Sequence, residues 1–158
     1  MAWKIGPIGS PDQGTDFSFA PPPPPRLKSV TVHAAWAVDL LTVQYEGPGH
    51  EAAVVTPPTS KTGLPPQKFE VPEGDQLVAV HMGCGAQAPG YPKNEIITLQ
   101  FETRKGIKSP VFGGGSGQAQ VTVFVLRAPE GQHIIGFHGA SGGAKNLLIR
   151  LGAYTANL

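Results

Sequence analysis

The stretch Gly136 to Asn146, GFHGASGGAKN, gathers residue types that could do chemistry. Within it, Gly139-Ala140-Ser141-Gly142-Gly143 matches the G-x-S-x-G pattern of a nucleophilic serine elbow. A hydrolase built on that elbow carries its acid and its histidine after the serine, and no Asp, Glu or His follows Gly143. A phosphate cradle needs Gly-Lys-Ser/Thr in succession, so that backbone N–H groups and the lysine converge on the phosphates. Here Ala144 precedes Lys145 and Asn146 follows it, and the GGGSG run from Gly113 to Gly117 lacks the G-x-G-x-x-G spacing. The histidines His33, His50, His81, His133 and His138 have no cysteine partners at zinc-finger spacing and no H-E-x-x-H arrangement. No pair among the 11 acidic residues is marked out for glycoside hydrolysis. These residues imply no enzymatic activity, no metal and no cofactor.

The elements that must hold such a stretch are strands. Val30-x-Val32 and Leu41-x-Val43-x-Tyr45 alternate as half-buried strands do, and DQLVAVHMG, EIITLQFETRKG, AQVTVFVLRA and QHIIGFHG continue the series. Ile97, Leu99 and Phe101 share one strand face on that pattern. The final AKNLLIRLGAYTANL reads equally as helix or strand. With 21 Gly and 17 Pro, the chain favours many turns over long helices, so an all-β sandwich, barrel or prism is expected. Its 158 residues suit one domain, residues 1–158, large enough to bury a core. The proline run Pro21–Pro25 reads as a stiff polyproline loop, or as bait for a proline-reading domain. Residues 56–66 and 83–94 read as long loops, where binding usually resides.

Charge and cysteine content narrow the partners. The formal net charge of +1 offers no field for nucleic acid or an anionic membrane. The single cysteine, Cys84, forbids an internal disulfide. No stretch reaches membrane-spanning length, and the opening residues lack a signal-peptide core. The expectation is a cytoplasmic protein, or one exported without a classical signal peptide, with no membrane insertion.

The order of the motifs then adds a resemblance over nearly the whole chain. GPIGSPDQGTDFSF, LKSVTVHAAWAVDLLTVQY, IITLQFETRKG, SPVFGGGSG and IIGFHGASG occur in the order of comparable segments in the jacalin-related lectins. The last resembles that family's IVGFHGRSG. The resemblance implies a β-prism of three four-stranded Greek-key sheets with pseudo-threefold symmetry. It also implies a non-enzymatic carbohydrate-binding lectin, of the mannose/glucose type, whose partners are glycans or glycoproteins. In the family the sugar sits between the first Gly-rich loop and a G-x-x-x-D loop, where a carboxylate accepts from two hydroxyls at once.

Carried onto this chain, the sugar site comprises Gly14 with Gly142, Gly143, Ala144, Lys145 and Asn146. The last letter is Asn where the family has Asp, which removes the charge. Counting back from Gly152 instead puts Ile149 at the acidic position, so the two anchors disagree by three residues. The pseudo-repeat of this loop is Ala35-Trp36-Ala37-Val38-Asp39, which with Gly63 forms a second candidate sugar site. Trp36 offers a stacking face there. Asp39 is either the sugar's acceptor or a hairpin-shoulder acceptor for backbone N–H groups. Gly90, Tyr91 and Asn94 fall in the segment that tunes specificity in the family. Weak single sites would require a homo-oligomer, a dimer or higher, for avidity, and the edge strands are the expected contact. The rival expectation is a β-prism interaction module that has lost monosaccharide binding and recognises a protein or another partner.

Overall fold

A computed structural model describes residues 2–11, 14–19, 26–46, 53–54, 65–86, 95–114, 120–142 and 147–158. Every regular element among them is a strand. In chain order these are β1 (Trp3–Gly9), β2 (Gly14–Phe19), β3 (Leu27–Ala34), β4 (Val38–Tyr45), β5 (Ala53–Val54) and β6 (Gln67–Glu70). They continue with β7 (Leu77–Ala86), β8 (Glu95–Thr103), β9 (Phe112–Gly113), β10 (Gln120–Arg127), β11 (Gln132–Gly142) and β12 (Leu147–Asn157). The alternating runs all became strands, and the ambiguous C-terminal segment became β12. Strands β1 and β2 were not visible as periodic segments, because WKIGPIG and GTDFSF carry too few apolar residues to alternate.

The strands form three four-stranded antiparallel sheets, in the orders β1-β12-β11-β2, β5-β4-β3-β6 and β10-β7-β8-β9. In each, a hairpin of two long strands lies at the centre and two shorter strands flank it, which is the β-prism the motif order implied. The pseudo-threefold symmetry extends to the irregularities. In β4 the register passes from His33↔Leu40 to Ala34↔Val38, leaving Asp39 as the extra residue. In β8 it passes from Gly83↔Thr98 to Cys84↔Ile96, leaving Ile97. In β12 it passes from Ala140↔Arg150 to Ser141↔Leu148, leaving Ile149. A bulge locally bends the strand and re-aims the residue it carries. Asp39, Ile97 and Ile149 are therefore equivalent positions of the three repeats.

The core lies where the three inner sheet faces meet. Val30, Leu41, Val80, Met82, Leu99, Phe101, Phe137, Leu148 and Leu151 belong to one continuous buried cluster. Fully burying side chains of this size is worth roughly 1.5–3 kcal/mol each before the entropy of ordering is subtracted. The sheets are also tied by polar contacts. The buried Tyr45 hydroxyl donates to the carbonyl of Ile135. Arg26 donates to the carbonyls of Pro72 and Asp75, both at 3.0 Å. On the outer face of the first sheet, the His138 imidazole lies across Gly152, its cross-strand neighbour. From there its Nε2 donates to the carbonyl of Ile5 on β1 at 2.9 Å, and its ring meets Tyr154 edge-on at 5.2 Å. One side chain thus crosses a whole strand to hold the sheet edge.

Two histidines give the fold an acid sensitivity. Burial holds both His133 and His138 below the ordinary value of 6.5, although the His138–Ile5 bond opposes this. Below about 6.5 the unfolded chain therefore takes up protons that the folded chain resists, and stability falls as pH drops through that point. Glu102, held down by its bonds to Arg127 and His81, adds a separate loss only as pH falls below its ordinary 4.5. Thermal melting between pH 7.5 and 5.0 should show the midpoint declining from about pH 6.5. His133→Asn should flatten that slope, and an unchanged slope would remove burial of His133 as its cause.

Candidate functional site

Register places the expected sugar-site strand ends together. Gly9 pairs with Arg150, Gly14 pairs with Gly142, and Gly142 pairs with Leu147. The first loop is stitched to β12 at the bulge. The Ser10 N–H donates to the Ile149 carbonyl at 2.8 Å, and Arg150 Nη1 donates to the Ser10 carbonyl at 3.2 Å. Gly9 has φ 129°, and a Cβ there would sit 2.3 Å from the same Ile149 carbonyl. Gly113, with φ 89°, stands in the same relation to the carbonyl of Ile97, at 2.1 Å. Glycine is required at both positions because backbone meets backbone.

Ile149 is the residue beside Gly14. A Cβ on Gly14 would lie 2.8 Å from Ile149 Cδ1, and Ile149 is only 4% exposed. The bulge position of the third repeat thus carries a buried hydrocarbon and not a carboxylate. Asn146, with Gly143, Ala144 and Lys145, lies outside the described residues, as do Gly63, Gly90, Tyr91 and Asn94. Ser141, the serine of the elbow-like motif, is a buried strand residue of β11. Its Oγ has no hydrogen-bond partner among the described residues.

The equivalent position of the first repeat keeps its acid. Asp39 sits at the β4 bulge, partly exposed, directly after the turn at Ala35–Ala37. That turn is closed by the Ala35 N–H donating to the Ala37 carbonyl at 3.1 Å. Trp36 projects from it, 48% exposed. Ala37 and Val38 face inward, at 3% and 0%. Ala37 packs with Ile97 and Leu147, so the starts of the three central hairpins' second strands meet in one small cluster. A carboxylate and an exposed indole three residues apart at one turn are residue types that suit hydroxyl-rich rings: an acid can accept from hydroxyls while an indole covers C–H faces.

Sequence reasoning missed a third grouping. Arg150 Nη2 donates to Asp16 Oδ1 at 2.8 Å, with the Asp16 side chain 81% exposed and Arg150 18%. The two residues lie 134 positions apart. No local motif links them, so only the pairing of β2 and β12 around β11 could reveal the contact. Among the described residues, no cluster of three or more metal-ligating side chains occurs, and no helix is long and apolar enough to cross a membrane.

Known proteins share this architecture. The family model for the jacalin-like lectin domain matches residues 5–154. Jacalin-related lectin 22 of Arabidopsis thaliana is 33% identical over 107 residues, 67% of this chain and 23% of that protein. Jacalin-related lectin 32 of the same plant is 32% identical over 117 residues, 74% of this chain and 36% of that protein. This chain therefore spans between a quarter and about a third of the length of these relatives. A mannose-binding jacalin-related lectin from Ananas comosus superposes with a TM-score of 0.73, at 24% identity, covering 99% of both chains. The artocarpin–mannotriose complex superposes at 0.74, with 22% identity, covering 98% of this chain and 97% of that one. Three bulged four-stranded sheets and a family match from residue 5 to residue 154 place the conclusion beyond the fold alone: the chain belongs to the jacalin-like lectin family.

Proposed function

We propose that the chain is a carbohydrate-binding lectin for mannose/glucose-type glycans, and that it works by recognition and not by catalysis. The observation that carries this reading is Asp39, a carboxylate at the bulge of the first repeat, three residues after the exposed Trp36. At the β11–β12 end the equivalent bulge residue is the buried Ile149, and the acceptor that the motif offers there is Asn146, an uncharged amide. A neutral amide acceptor makes hydrogen bonds about half as strong as a carboxylate's charge-assisted ones. Asp39 is therefore the stronger acceptor of the two.

Calorimetric titration with methyl α-mannoside and with a mannotriose tests the assignment. Asp39→Ala should weaken binding by tenfold or more, the effect of removing a charged hydrogen bond of about 1.5–3 kcal/mol. Asn146→Ala should cost less. Absence of binding to any sugar on a glycan array would favour the rival reading, a β-prism module that recognises a protein partner.

Avidity in this reading comes from a homo-oligomer formed along β10. That strand is the edge of its sheet, paired with β7 over eight residues without a bulge. Val121, Val123, Phe124 and Val125 are between 37% and 59% exposed. Edges are ordinarily protected by charge, proline or a bulge. From Gln120 to Leu126 this one has none of them. An uncharged strand meets its own copy across a two-fold axis without like-charge repulsion, which makes a second copy the fitting occupant. Cytoplasmic residence belongs to the same proposal. Its support is the lone Cys84, which leaves folding independent of disulfides.

A further inference from the structure

A groove of about 310 Å³ runs along the outer face of the first sheet. Lys4 and Pro7 of β1 form one rim, Asp16 and Ser18 of β2 the other. His138 and Arg150 line it between them. Two glycines of the central strands let side chains and backbone close up beneath this face. A Cβ at Gly152 would overlap the His138 ring, at 2.2 Å from Cε1, and one at Gly139 would meet the Arg150 carbonyl, also at 2.2 Å.

The polar groups on its walls are complementary and outward-facing. Asp16 is clasped on one oxygen by Arg150 and is 81% exposed, so its remaining lone pairs face solvent. A carboxylate offers about four acceptor positions, of which the guanidinium occupies one. Lys4, on the opposite rim, is exposed and forms no ion pair among the described residues. Ser18 Oγ and Tyr154 Oη form a hydroxyl pair at 2.5 Å beside the same rim. An acceptor held rigid on one wall and a cationic donor on the other match a ligand whose every polar group is both donor and acceptor. That describes the hydroxyls of a saccharide, which can accept from Lys4 and donate to Asp16 at once. The volume is at the lower end of small-ligand sites, suited to a short saccharide.

We propose that this groove is a further saccharide subsite, in which Asp16, oriented by Arg150, accepts from hydroxyls and Lys4 donates to them. It rests on the lectin reading and supplies the carboxylate that Ile149 does not provide at the end of the third repeat. Arg150 is a positioning residue here, and Asp16 and Lys4 touch the ligand.

The test titrates linear mannotriose into the wild-type chain, into D39N/N146A and into D39N/N146A/D16N. Calorimetry reads affinity, and NMR follows the His138 ring and the Gly139 amide. The double variant should retain binding that shifts both resonances. Asp16→Asn should then weaken that binding tenfold or more, with the melting temperature unmoved because an exposed ion pair contributes little to stability. Loss of all binding in D39N/N146A, with the wild type still binding, overturns the groove and leaves the lectin reading intact. Residual binding that ignores Asp16→Asn overturns it equally. A wild-type chain that binds no mannotriose overturns both.

Discussion

Gly152→Ala should destabilise the protein by about 2–4 kcal/mol, on the scale of steric insertion plus a broken buried tie. The new methyl would stand 2.2 Å from His138 Cε1, 2.3 Å from His138 Nε2 and 2.6 Å from the Ile5 carbonyl. The imidazole could swing away, but the carbonyl is backbone and β1 would have to move with it. Displacing the ring breaks its 2.9 Å bond to Ile5 and its edge contact with Tyr154. Because β1 is an edge strand whose backbone pairs with β12 alone in its sheet, its detachment should be the first consequence. Chemical denaturation measures the loss. His138→Ala alone should cost less, since it removes the tie without inserting volume. In the double variant the two losses should sum to less than their separate values, because one of the clashes has been removed. Full additivity would show that the ring and the glycine do not act as one unit.

The second large effect concerns the β10 edge. Val123→Lys and Phe124→Lys together should convert the proposed homo-oligomer to monomers and lower binding to a mannose-coated surface by 10²- to 10⁴-fold, roughly the range that multivalency supplies. Affinity for soluble methyl α-mannoside should be unchanged, because neither residue is among those assigned to sugar contact. Val123 and Phe124 are 59% and 44% exposed, so the folded monomer should accept lysine at both without loss of stability. Sedimentation equilibrium reads the mass and surface binding reads the avidity. A wild-type chain that sediments as a monomer, or a variant that keeps the wild-type mass, would remove β10 as the contact.

The bulge equivalence explains an ambiguity in the primary structure. Counting forward from Ser141-Gly142 gives Asn146 as the acceptor, and counting back from Gly152 gives Ile149. Both counts assume an uninterrupted ladder. Register puts Ile149 at the bulge, in the place that Asp39 holds in the first repeat and Ile97 in the second. A residue's place in a bulge depends on how many residues its partner strand presents, and no one-dimensional spacing contains that.

Alternation of apolar and polar residues determined the strands β3, β4, β7, β8, β10 and β11, and most of the core they bury. It did so because side chains of a half-buried strand repeat every two residues, a pattern written in the sequence itself. The order of short motifs added the prism. What only the tertiary structure decided is which residues meet across strands: Ile149 against Gly14, His138 over Gly152 to Ile5, and Arg150 with Asp16. It also decided that VTVFV, one of the alternating half-buried runs by its pattern, lies exposed at a sheet edge. Strand propensity depends on local chemistry, whereas edge or centre, bulge or ladder, depends on which distant segment supplies the neighbouring hydrogen bonds.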